Sequence, residues 1–139
     1  MNIFTVSFFG HRMIDRPFLI EQRLESLIRR LINTKEYVDF IVGRSGDFDQ
    51  YASSAVLRVR KAVGDHNSSL TLVLPYPTAE YLNNQESFED YYSYVEVSDA
   101  ASAAHHKAAF QIRNREMVDR SDLIVCCIER ENGGAWQTV

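Results

Sequence analysis

Cysteine is scarce in this chain: there are two, Cys126 and Cys127, side by side in an apolar run. Neighbouring side chains of a strand point to opposite faces, so these two cannot pair without distortion, and a disulfide framework is excluded. They read as buried thiols of a reducing compartment. Also missing is any apolar run long enough to span a membrane. The N-terminal residues form a short strand pattern that runs into Gly10, His11 and Arg12 instead of a signal peptide's apolar stretch, so a cytoplasmic location is expected. Basic residues are in deficit, 15 Lys and Arg against 19 Asp and Glu for a net charge of -4. A long nucleic acid needs a broad basic face to displace its counterions, so neither a polyanion nor a membrane is expected as partner. No GxGxxG or Walker pattern occurs. The adjacent pair His105 and His106 diverges on a helix, where ligands sharing a face stand three or four apart, so no metal and no cofactor is expected.

What is present is the balance of a globular domain: 139 residues, 45% hydrophobic and 24% charged. That is enough for one domain, residues 1–139, to bury a core without cross-links. Phe4 to Phe9 is a short apolar run closed by Gly10. Pro17 then opens a segment with Ile20, Leu24, Leu27, Ile28 and Leu31 at helical spacing. Val38 to Val42 repeats the strand signal, and Phe48, Ala52, Ala55, Val56 and Val59 mark a second helix. Leu70 to Leu74 is a third strand, stopped by Pro75-Tyr76-Pro77, after which a polar loop is expected to about Asp90. Tyr91 to Val97 reads as a short strand, Ser98 or Asp99 as the cap of a helix to about Asp119, and Leu123 to Ile128 as a last buried strand. Strand and helix alternate throughout, which predicts a parallel sheet covered by helices on both faces.

In such sheets ligands bind beyond the carboxyl ends of the strands, so the turns there carry the functional reading. Gly10 lets the chain leave the first strand sharply, with His11 and Arg12 offering heads to an anion or to solvent. Gly43, Arg44, Ser45 and Gly46 precede a helix whose first amides need partners, a setting that suits phosphate. Asp47 with Gln50 three residues on fits a capping box. Asp49, in the first helical turn, serves the dipole or accepts from a ribose hydroxyl. Arg113 and Asn114 lie toward the end of the third long helix, where a guanidinium would reach a phosphate from the side or form a surface ion pair. Gly133 and Gly134 permit close backbone approach after the last strand, and Trp136 stacks on a base or packs on its own domain. Tyr91, Tyr92 and Tyr94 line a pocket or a subunit contact, or pack as half-buried strand residues.

Taken in order, Phe9-Gly10-His11-Arg12, Gly43-Arg44-Ser45-Gly46-Asp47-Phe48-Asp49, Arg113-Asn114 with Met117-Val118-Asp119-Arg120-Ser121-Asp122, and Asn132-Gly133-Gly134-Ala135 resemble the SLOG superfamily. The likeness is nearest to its stand-alone bacterial branch with YpsA-like proteins and more distant from the LOG and DprA branches. It implies a Rossmann-like three-layer α/β sandwich with a mostly parallel sheet of about five strands, a bound nucleotide or nucleotide-derived signal, and a homo-oligomer. Carried over by position, Gly10, Gly43, Gly46, Gly133 and Gly134 line the pocket and Arg113 falls where LOG enzymes place a functional arginine. The LOG terminal motif P-G-G-x-G-T-x-x-E is only partly kept. Asn132 stands for the proline, Trp136 for the later glycine and Gln137 for the threonine, and the catalytic glutamate would fall one position past Val139. The helix expected after Gly134 has barely begun at Val139, the pattern of a truncated product or a missing C-terminal segment.

Function then divides three ways. Anion-binding turns without an assignable acid, base or nucleophile favour a sensing or binding module for a small nucleotide-like molecule. A nucleoside 5'-monophosphate N-glycosidase of the LOG type is the alternative, with Asp47, Asp49 and Glu116 as the available carboxylates and no catalytic residue assigned. A protein-interaction module with a vestigial cleft is the third.

Overall fold

Val6 and Phe8 point to one side of the first strand and Ser7 and Phe9 to the other, and all four are buried. A strand covered on both faces requires this pattern. The computed structural model describes residues 1–10 and 17–127. Along the chain it contains β1 (Ile3–Gly10), α1 (Pro17–Thr34), β2 (Tyr37–Val42), α2 (Asp47–Val63), β3 (Ser68–Leu74), α3 (Ala79–Asn83), α4 (Gln85–Tyr91), β4 (Tyr94–Val97), α5 (Asp99–Ser102), α6 (His106–Arg120) and β5 (Leu123–Cys127). The strands form one sheet in the order β4-β3-β2-β1-β5, and every neighbouring pair is parallel. All five carboxyl ends therefore lie along one rim.

Two cores sandwich the sheet. On one face Val6, Phe8, Val38, Phe40, Val42, Leu70, Leu72 and Leu74 pack against Leu24, Ile28, Leu31 and Ile32 of α1 and Phe48, Ala52, Ala55, Val56 and Val59 of α2. On the other, Phe9, Ile41 and Val73 pack against Met117 of α6. Apolar burial of this kind contributes about 25 cal/mol per Å², so the larger cluster supplies most of the driving force. The result is a Rossmann-like α/β three-layer sandwich with a parallel five-stranded sheet. The strand order reverses between β1 and β5, which places the crevice of such folds outside Gly10 and Cys127. Asp122 fixes the opposite end of that pair: its Oδ2 accepts from the Thr5 N–H at 2.8 Å and its own N–H donates to the Thr5 carbonyl at 2.8 Å.

Several local expectations are corrected. The last strand is not buried: β5 lies at a sheet edge, Ile124 and Cys126 are exposed and the other residues half-buried. The two cysteines are therefore not interior thiols, although partial burial still pushes the Cys126 thiol pKa up. The expected polar loop holds α3 and α4. Thr78 caps α3 by accepting from the Tyr81 N–H at 3.2 Å. The fourth strand begins at Tyr94, because Tyr91 ends α4 and Tyr92 follows as its C-cap. The single helix from Ser98 divides into α5 and α6. Ser98 caps the first by accepting from the Ala101 N–H, and His105 Nδ1 caps the second by accepting from the Lys107 N–H. No described helix is long and apolar enough to cross a membrane.

Candidate functional site

The site grows from the end of β2. Gly43 is buried, and a Cβ on it would lie 2.8 Å from Arg113 Cζ and 2.9 Å from its Nη1. Glycine is required there because the guanidinium needs the space. Arg113 reaches this point from α6, where Ala109, Arg113 and Met117 form one buried row at i, i+4 and i+8. The side chain is 1% exposed, so the surface ion pair considered for it is excluded. Instead, Nη1 donates to the carbonyls of Gly43 and Val73, each at 2.9 Å. Nη2 donates to Ser45 Oγ at 2.9 Å, and Nε donates to Asn114 Oδ1 at 2.9 Å. Those bonds use four of the five guanidinium N–H groups. They tie the ends of β2 and β3 to the turn between β2 and α2. Burial lowers the Arg113 pKa and Asp49 opposes this, so the group stays a cation.

Asp49 is the second buried ion. Its Oδ2 accepts from the Ser45 N–H at 2.6 Å, within the turn itself. Burial pushes its pKa up to about 6, against the pull of the Ser45 amide and of Arg113. The capping box expected for Asp47 is not formed: Gly46 is the N-cap, no side chain caps the helix, and Asp47 is its first residue. Asp49 supplies the local acceptor instead. The ribose-acceptor role considered for Asp49 now has to share that carboxylate with Ser45.

Arg44 forms the outer wall. It is the non-glycine residue with positive φ among the described residues, at 54°. A side chain rarely adopts that conformation, and such strain gathers at working sites. Its Nε donates to Glu80 Oε1 at 2.5 Å, its Nη1 to the Tyr92 hydroxyl at 3.1 Å, and its Cζ stands 4.7 Å over the Phe88 ring. Burial alone would lower the Arg44 pKa, but Tyr92 and Glu80 outweigh it and the net direction is up. Burial raises the Tyr92 pKa, with Arg44 pulling the other way.

Gly10 ends the neighbouring strand on the same rim, backed by Phe48: a Cβ there would collide with that ring. Gly10, Gly43, Arg44, Ser45, Gly46, Asp47 and Asp49 thus gather at the carboxyl ends of β1 and β2 or in the first turn of α2, and Arg113 with Asn114 joins them from α6, which follows β4 and α5. His11, Arg12, Gly133, Gly134 and Trp136 lie outside the described residues. Sequence reasoning missed Glu80 and the rim placement of Tyr76; Tyr92, offered as a pocket residue, meets Arg44 there. A signal for Tyr76 was available, because it lies two residues past β3 in the Pro75-Tyr76-Pro77 stop, whereas nothing local marked Glu80. Among the described residues, no three His, Cys, Asp or Glu side chains gather as a metal site would require.

No protein-family model matches this chain, and no curated protein matches it in sequence. What the structure shows is the architecture, a Rossmann-like α/β sandwich.

Proposed function

We propose that the rim around Gly43 binds a small phosphate-bearing, nucleotide-type ligand, as a sensing or binding module. The observation that carries this reading is the convergence of Arg113 and Arg44 on one strand-end turn, with two of its charged groups, Arg113 and Asp49, almost wholly buried. Buried ions are costly, and polar groups with displaced pKa values cluster where a ligand is handled. The rim is also where open parallel sheets take their ligands. The SLOG resemblance belongs to this reading: of the segments that suggested it, Gly10 and the Gly43 to Asp49 turn lie at the carboxyl ends of neighbouring strands, and Arg113 reaches the same turn. So do a cytoplasmic homo-oligomer and the absence of a long nucleic acid or membrane as partner.

Calorimetry with AMP, ADP-ribose and related compounds tests it. Saturable binding that weakens about 10-fold or more in Arg44→Ala, as loss of a charge-assisted contact implies, supports the proposal. No binding across the panel, with the protein folded, removes it.

The state of Asp49 favours a second reading, N-glycosidase action on a nucleoside 5'-monophosphate. A carboxyl with a pKa of about 6 beside a guanidinium is suited to stabilising a ribosyl cation near neutral pH. Release of free base from AMP, lost in Asp49→Asn, would establish it, and intact AMP after long incubation at high protein concentration would eliminate it.

A further inference from the structure

Beyond the anion-binding turn, three aromatic rings line the same rim. Tyr76 leaves the end of β3 two residues after Leu74, and His106 and Phe110 stand one helical turn apart at the start of α6. The Tyr76 and His106 rings stack at 4.4 Å between centroids with 10° between their planes. Phe110 meets Tyr76 edge-on at 5.9 Å and 81°. The guanidinium of Arg113 also lies against Phe110, its Cζ 5.4 Å from the ring centroid. The rings and the Gly43 turn are therefore joined through one side chain.

This arrangement leaves apolar surface in water. Phe110 is 39% exposed and His106 is exposed, although α6 buries Ala109, Arg113 and Met117 in the adjacent row. A ring packed only to stabilise α6 would be drawn further in, since burial and not exposure is rewarded. Aromatic faces beside a cationic anchor are instead the pattern by which proteins hold a nucleobase, whose π-face stacks on any such ring. Lys107 and His105 add positive or donor groups on the same turn of α6 and no acidic residue lies in its first turn, which suits an anionic ligand.

We infer that Tyr76, His106 and Phe110 form the subsite for the ligand's ring, taking a nucleobase by stacking while its phosphate lies toward Arg44 and the Gly43 turn. This rests on the proposed anion-binding function and specifies the ligand as a base-bearing nucleotide, recognised at two points bridged by Arg113. A sugar phosphate lacking the base would engage one point alone.

The test compares AMP with ribose 5-phosphate by calorimetry on the wild type, Tyr76→Ala, Phe110→Ala and Phe110→Leu, which keeps apolar bulk and removes the π-face. Stacking of a base contributes roughly 5- to 150-fold in affinity. AMP is expected to bind the wild type at least about 5-fold more tightly than ribose 5-phosphate. Each variant should lose most of that advantage while binding ribose 5-phosphate as the wild type does. Proton NMR provides a second readout, with the His106 ring signals moving on addition of AMP and staying in place with ribose 5-phosphate. Equal affinity of the wild type for the two compounds overturns the ring subsite and leaves the anion site standing. Unchanged AMP affinity in all three variants, or a matched loss for both compounds, overturns it as well. Failure of both compounds to bind the wild type overturns the anion-binding reading and this one together.

Discussion

Gly10 and Gly43 end adjacent strands on the same rim, and both are glycines because another side chain occupies the place of a Cβ. The occupants differ in kind. Phe48 backs Gly10 from α2 and belongs to the main apolar core, whereas Arg113 backs Gly43 from α6 and spends its donors on the turn. The first glycine serves packing, and the second serves the placing of a charge. That difference separates a turn that closes a core from a turn built to hold a group for use. It also explains why the rim reads as a site on the β2 side.

The largest effect should come from removing the cation. Arg113→Met leaves the Gly43 and Val73 carbonyls without their donor and Asp49 without its counter-charge. A loss of about 2 to 5 kcal/mol in urea unfolding is expected, since two buried carbonyls lose a charged donor at about 1 to 3 kcal/mol each. Since domains hold only about 5 to 15 kcal/mol, the variant should be marginal. A loss under about 1 kcal/mol would mean the two turns do not differ as described.

Asp49 gives the next effect, through pH. Its folded pKa of about 6 lies above the usual carboxylate value of 3.8, so between those values the folded chain holds a proton that the unfolded chain has released. Its contribution to stability is then fully present below the lower value and is lost as pH rises through the upper one. The loss amounts to about 3 kcal/mol at most by linkage. Denaturation midpoints from pH 3.5 to 7.5 should show this decline in the wild type relative to Asp49→Asn, and parallel profiles would contradict it.

Gly10→Ala should cost about 1 to 3 kcal/mol by overpacking. The cost should shrink in a Phe48→Ala background, measured by a double-mutant cycle. Gly43→Ala, whose Cβ meets a buried guanidinium fixed by four hydrogen bonds, should also cost about 1 to 3 kcal/mol, be insensitive to Phe48→Ala and couple to Arg113 instead. Rescue of both glycine variants by the same partner would break the comparison. Smallest is Glu80→Ala, an exposed pair partner whose loss should change stability by less than about 1 kcal/mol. The same change frees Arg44 from its carboxylate and should tighten AMP binding in calorimetry.

The alternation of β and α signals made the fold readable from sequence, because each buried strand is a short run of β-branched, aliphatic and aromatic residues and α1 and α2 carry apolar stripes, whereas α6 buries only Ala109, Arg113 and Met117. Errors fell where burial is decided by position in the sheet. Leu123 to Cys127 is apolar enough for an interior strand, but only strand order shows that β5 sits at an edge with one face open. The glycine turns were legible as turns. The depth of Arg113 had a local clue in the Ala109 and Met117 row, whereas Ser45 and Val73 as its partners depended on tertiary structure. Asp49 likewise looked like a dipole partner on an exposed first turn, until the fold wrapped the turn around it.

The most direct measurement is an amide NMR titration of the protein with AMP. The account predicts that Gly10, Gly43, Ser45 and Gly46 shift together along one saturable curve, while Thr34, at the end of α1 on the opposite rim, stays unmoved. Shifts confined to that opposite rim, or no saturable shift anywhere at millimolar AMP, would contradict it.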